Sequence, residues 1–274
     1  MRIAAAQVLS TGDPQRNLDL ISAYTARAAD QDAAVVVFPE AMQCAFGNPL
    51  APIAESPQGP WAQQVREIAE YHGVLIIAGM FTPARASASS RPRVRNTLLA
   101  VGRGVDSSYD KIHLYDAFGF RESDTVEPGS KPQMVECDGI RLGLATCYDL
   151  RFPTLFQYYA REGATTVVIP ASWGAGPDKA RQWSTLVRAR ALDSTCHVVA
   201  CDQPDPLTVG QDPVSGAPTG IGLSAIVDPA GLDLATAGTG NELLIADIDA
   251  ARVDTVRQTL PVLKNCAHWE KAQP

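Results

Sequence analysis

The sequence predicts an α/β fold in which helices cover sheets, and three observations carry that expectation. Short apolar, β-branched runs such as "AAVVVFPE", "VLIIAGMF" and "TTVVIPASW" alternate with amphipathic stretches, the pattern of layered strands and helices. Helix punctuation falls between those runs, as at Asp13-Pro14, "GPW" and Pro153. With 46% hydrophobic and 19% charged residues, a chain of 274 residues can bury a large core, which excludes disorder and disulfide-dense scaffolds. The length suits one domain over residues 1–274.

The elements follow in order. "MRIAAAQVLS" enters a strand at once, and Asp13 and Pro14 read as N-cap and first position of a helix reaching about residue 30. "AAVVVFPE" is a buried strand ending at Pro39. A second helix follows "GPW", with Trp61, Val65, Ile68 and Ala69 on one face and Gly73 as its cap. After the strand "VLIIAGMF", residues 82–93 read as a loop; "NTLLAVG" and "VDSSYDKIHL" read as paired strands. Residues 116–131 form a polar loop too long to be idle. Strands at 133–137 and 140–146 run into Cys147, and Pro153 opens a helix burying Leu155, Phe156, Tyr159 and Ala160. A strand in "TTVVIPASW", a helix over about 178–195 and a strand in "HVVACD" come next. Residues 203–220 are then a loop, and strands in "GLSAIVDP" and "NELLIADID" precede a short helix and an irregular tail.

Charge narrows the function. A net charge of -7 argues against a polyanionic partner, and Arg91, Arg93 and Arg95 in "RPRVR" read as a solvated loop edge. The six cysteines, 44, 137, 147, 196, 201 and 266, include no CxxC pair and no metal-ligand spacing. Reduced thiols in a cytoplasmic protein with no metal and no cofactor are the expectation. Neither a leader segment nor a transmembrane run is expected.

Three residues sit where strands end, the position at which α/β folds expose reactive groups. Glu40 closes "VVVFPE", Lys111 lies in "YDKIHL" and Cys147 closes "RLGLATC". Each alone has an ordinary reading: a strand-end carboxylate, a surface lysine and a small buried apolar residue. Together they supply a base, a cation and a nucleophile, the parts of thiol-based acyl transfer. A serine hydrolase is disfavoured because no GxSxG elbow occurs. A Cys-His enzyme would need His113 or His197, and both read as structural strand-edge residues.

In their contexts, "FPE", "YDKIHL" and "CYDLRFP", these residues resemble the Glu-Lys-Cys triad of the nitrilase, or carbon-nitrogen hydrolase, superfamily. The likeness runs from "AAAQ" to "LPVL" and includes "GPW", "RVRNT", "EPG", "RARALD" and "SAIVDP". It implies a four-layer αββα sandwich with Glu40 as general base, Lys111 as cationic stabiliser and Cys147 as nucleophile. It also implies that the Tyr148 backbone N–H helps hold the oxyanion. A further family glutamate matches Glu122 in "RESDTVEPG"; Glu127 is the nearer acidic rival, but it directly precedes Pro128.

"CYDLRFP" resembles the branch of omega-amidases and deaminated glutathione amidases. The resemblance therefore implies an amidase that releases ammonia from a small carboxylate-bearing amide through a thioester. Arg151 is a candidate for the substrate carboxylate, with a salt bridge to Asp149 or a bond to a loop carbonyl that fixes the turn as its structural alternatives. Trp173 in "PASWGAG" is a candidate pocket wall, or core packing. Leu223 stands where that branch commonly has histidine, and residues 82–93 and 203–220 lack a clear counterpart. A nitrilase, an N-carbamoyl amino-acid amidohydrolase and a catalytically idle dimeric scaffold are the competing readings. The "RARALD" helix and the tail resemble elements through which the family pairs, so a homodimer or larger homo-oligomer is expected.

Overall fold

A computed structural model describes residues 1–84 and 92–267. Arg91, the middle of the 82–93 loop and the end of the expected tail lie outside those residues. The first half runs β1 (Arg2–Gln7), α1 (Pro14–Ala29), β2 (Val35–Val37), α2 (Pro60–His72), β3 (Leu75–Pro83), β4 (Val94–Gly102) and β5 (Val105–Asp110). Then come β6 (Asp116–Ala117), β7 (Phe120–Arg121), β8 (Gln133–Cys137), β9 (Ile140–Leu144), α3 (Pro153–Arg161), β10 (Thr166–Ala171) and α4 (Lys179–Ser194). The chain closes with β11 (His197–Asp202), β12 (Ala225–Val227), β13 (Asp233–Thr236), β14 (Glu242–Asp247) and α5 (Ala250–Thr259).

Two six-stranded sheets result, in the orders β14-β1-β2-β3-β4-β5 and β13-β12-β11-β10-β9-β8. Side chains alternate between faces along a strand, so each central strand serves two cores. Ile3, Val37, Leu75, Leu142, Val168 and Val199 meet between the sheets. Their neighbours Ala4, Val36 and Ile76 pack with Leu18 and Ile21 of α1 and Trp61 and Val65 of α2. On the other side Val167, Ile169 and Val198 pack with Phe156 of α3 and Trp183 and Val187 of α4. This is the αββα layering expected from the sequence.

Parallel pairing then decides where the site lies. Ile3, Val35 and Leu75 are in register across β1, β2 and β3, and Leu142, Thr166 and His197 across β9, β10 and β11. Two antiparallel steps, β3 to β4 and β4 to β5, bring β5 back to the direction of β3. The carboxyl ends of β2 and β5 therefore share one edge of the first sheet, and those of β9, β10 and β11 one edge of the second.

The helix signals correspond to real caps. The Asp13 carboxylate accepts from Gln15 N–H, and Gly73 takes the left-handed conformation, φ +65°, after α2.

Some boundaries differ from the sequence reading. β5 stops at Asp110, and "KIHL" is no strand because Ile112 N–H donates to Tyr109 Oη and His113 N–H to Asp149 Oδ1. The 116–131 loop contains the small β6–β7 ribbon and a 3-10 turn at Glu122–Asp124. A 3-10 turn at Pro206–Val209 sits inside 203–220. β13 was not anticipated; its pattern is largely exposed, which weakens any strand signal. Arg95 is no loop-edge residue: it belongs to β4 and pairs with Asp110 (3.1 Å) and with Glu127, which fixes it against β5 and the loop beyond. Among the described residues, no helix is long and apolar enough to cross a membrane.

Candidate active site

Each expected residue is held by backbone that has just left a sheet. Pro39 has no N–H to extend β2 and so releases the chain, and Glu40 follows. The turn is tight: Ala41 has φ +59°, and a Cβ on Gly79 would lie 2.4 Å from Ala41 N, so only glycine lets β3 pass there. Lys111 is fixed on both sides of its peptide, with its N–H to Asn96 O and its C=O accepting from Gly129 N–H. Cys147 opens a 3-10 turn, Cys147–Arg151, with φ +45°, a strained conformation that often marks a reactive residue.

Asp149 links two of these segments. Its carboxylate, fully buried, accepts from Thr146 N–H (2.9 Å) beside Cys147, and from His113 N–H (2.9 Å) and Tyr109 Oη (2.7 Å) on either side of Lys111. His113 Nδ1 lies 2.7 Å from the same carboxylate while its ring stacks on Phe152. His197 Nε2 is 3.1 Å from Asp249 O, far from this cluster in the chain's layering. Neither histidine lines the cavity described below.

The four ionisable groups converge. Lys111, 3% exposed, donates to Glu40 Oε1 (3.1 Å) and to both oxygens of Glu122 (3.0 and 2.9 Å). Glu40 also accepts from Asn96 Nδ2 (2.7 Å) and Ser172 N–H (2.9 Å), and Glu122 accepts from Tyr115 N–H (2.7 Å). Glu127, the rival acid, is turned away to Arg95. The Cys147 Sγ lies 3.9 Å from Ser172 O.

The electrostatics differ from the simple expectation that an ammonium lowers the thiol pKa. Burial pushes the Cys147 thiol well up, the Glu40 charge pushes it further, and Lys111 only partly offsets them. Glu40 is itself raised above the ordinary carboxylate range, chiefly by burial, against the pull of Lys111. Burial alone would lower Lys111, but Glu122 and Glu40 together hold it well above the usual ammonium value. Cys147 therefore rests as a thiol beside an ammonium and a carboxylate able to take a proton.

Glu40, Lys111, Glu122 and Cys147 all line one cavity of about 90 Å³, walled by Tyr115, Tyr148, Trp173, Phe46 and Lys179 among others. Tyr148 and Trp173 were expected there. Arg151 is not among the lining residues: its guanidinium donates to Gln182 Oε1 (2.6 Å) and lies 5.1 Å over the Trp173 ring. The Asp149 salt bridge offered as its alternative does not form either, because Tyr109, His113 and Thr146 occupy that carboxylate.

Sequence reasoning missed Asn96, Ser172, Tyr115 and Lys179. Asn96 had a signal, a polar side chain inside an apolar strand; Lys179, following a glycine-rich turn, had none. Among the described residues no cluster of three or more His, Cys, Asp or Glu side chains suits a metal ion.

Comparison with known proteins gives the family. The family model for carbon-nitrogen hydrolases matches residues 2–258. A hydrolase of Mycobacterium tuberculosis is 49% identical over 271 residues, covering 97% of this chain and 95% of that protein. A deaminated glutathione amidase of Escherichia coli O157:H7 is 35% identical over 270 residues, covering 97% of each. A crystal structure of a CN-hydrolase superfamily protein from Xanthomonas campestris, with an arsenic adduct in its active site, superposes with a TM-score of 0.83. It is 26% identical and the match covers 99% of both chains.

The Asp149 bridge makes a stability prediction. Asp149→Ala strands several buried donors at once and is expected to cost at least about 3 kcal/mol in denaturant unfolding. An unchanged midpoint would show that the bridge contributes nothing.

Proposed function

Because the chain belongs to the carbon-nitrogen hydrolase family, we propose that its Glu40, Lys111, Cys147 and Glu122 hydrolyse a small carboxylate-bearing amide to the acid and ammonia. The observation that carries this reading is the convergence of the four side chains on one cavity, with Lys111 bonded to both carboxylates.

The substrate carbonyl enters beside Cys147. Glu40 takes the thiol proton as sulfur bonds to the amide carbon, and the carbonyl π electrons move to oxygen. The Lys111 ammonium and the Tyr148 N–H stabilise that oxyanion; a missing donor of this kind typically costs about 100- to 1000-fold in rate. Collapse breaks the C–N bond, Glu40 returns its proton to the departing nitrogen, and ammonia leaves a thioester on Cys147. Water then attacks the thioester carbon while a carboxylate takes its proton, and the proton returns to sulfur as the acid is expelled. A carboxylate with a raised pKa suits this role, since it must both take and give a proton near neutrality.

The same reading includes a homodimer. Leu192 on α4, Leu232 and Leu260 are 42%, 62% and 53% exposed, an apolar allocation that pairing would cover. Light scattering at micromolar concentration should give about twice 29.2 kDa or a larger multiple, and a monomer mass would overturn this part.

The two glutamates are separated by intact-mass spectrometry after mixing with a short dicarboxylic monoamide. Glu40→Gln is expected to form no acyl adduct, because the carboxylate assigned to take the thiol proton is gone. Glu122→Gln is expected to acylate and accumulate the thioester, since positioning of substrate and water is partly met by a neutral hydrogen-bonding group. Cys147→Ala serves as the blank. An adduct on Glu40→Gln with none on Glu122→Gln would contradict the assignment.

A further inference from the structure

We infer that Lys179 binds the remote carboxylate of the substrate proposed above and so sets the preference for it over an uncharged amide. This inference rests on the amidase reading above and deepens it. The cavity holds two carboxylates, Glu40 and Glu122, and one ammonium, Lys111, that is already bonded to both. An anionic substrate entering such a site meets repulsion unless a second cation faces it. Arg151, nominated from sequence, does not line the cavity and is engaged with Gln182.

Lys179 meets the requirement. It lines the same cavity as Cys147, is half-buried, and forms no ion pair among the described residues. Its Nζ donates to Tyr115 Oη at 3.0 Å and lies 4.3 Å from the Phe118 ring centroid and 5.1 Å from that of Tyr115. These partners are neutral: a phenol takes one of three N–H donors, and ring faces hold the charge in place without neutralising it. Two donors on a partly desolvated ammonium remain for a carboxylate.

Tyr115 sets the relation between the two ends of the site. Its N–H donates to Glu122 Oε2 while its hydroxyl accepts from Lys179. One residue therefore spans from the glutamate beside Lys111 to the unpaired cation, and a ligand bound to Lys179 is placed relative to Cys147. The neighbouring Arg181 is a poor alternative because it is exposed and faces Asp178.

The test compares each monoamide with its uncharged diamide, succinamate with succinamide and glutaramate with glutaramide, by ammonia release. Wild type is expected to prefer the monoamides. Lys179→Met is expected to lower the ratio of monoamide to diamide kcat/KM about 10- to 100-fold, mainly through KM, the size of one lost charge-assisted contact. Lys179→Arg should recover part of that ratio. A ratio unchanged in Lys179→Met, with both amides turned over, overturns this inference alone. Wild type that turns over diamides but not monoamides overturns it as well. Ammonia from none of the four overturns the amidase reading and this inference with it.

Discussion

The whole site depends on one buried ammonium shared by two buried carboxylates. Lys111 touches Glu40 and Glu122 at hydrogen-bond distance, and all three are at most 5% exposed. Two negative charges and one positive charge in the interior are tolerable only if the excess charge is spread or neutralised. Ser172 N–H, Asn96 Nδ2 and Tyr115 N–H spread it, and the raised pKa of Glu40 eases its neutralisation. Adding a thiolate would put a third negative charge into the same volume. That is why the thiol is held protonated despite its ammonium neighbour, and why the proposed attack carries its proton transfer with it.

The fold supplies this arrangement by placing one strand end beside another. Parallel pairing through α1 and α2 in one sheet and through α3 and α4 in the other, with two antiparallel steps from β3 to β5, brings the ends of β2, β5, β9 and β10 together. What the sheets cannot fix, the loops do. Asp149 ties the Cys147 turn to the segment around Lys111, and Gly79 lets the Glu40 turn approach β3 without a Cβ in the way. Left-handed backbone at Ala41 and Cys147 is tolerated because these contacts hold the chain on both sides.

Much of this was legible in the sequence because its causes are local. A cap such as Asp13-Pro14, a glycine at a left-handed cap such as Gly73, and short apolar, β-branched strands depend on neighbours a few residues away. Glu40 and Cys147 were legible because each ends an apolar run, and Lys111 because it sits in the distinctive "YDKIHL" context. What escaped was set by distant partners. Arg151 looked available because its partners, Gln182 on α4 and Trp173 in the loop before it, are distant in the chain, and Arg95 looked solvated because Asp110 and Glu127 reach it only in the folded chain. Lys179 had no local mark at all. The thiol's resting state is likewise set by desolvation and by the two carboxylates around it, which no local sequence signal reveals.

The central claim is that Cys147 rests as a thiol, and it is tested most directly by the ultraviolet difference absorbance of thiolate between wild type and Cys147→Ala across a pH titration. The other five cysteines cancel in the difference. No thiolate signal is predicted at neutral pH, with absorbance appearing only at alkaline pH beyond the usual thiol range. A full thiolate signal already present at neutral pH would contradict the account, because Lys111 would then outweigh burial and both glutamates.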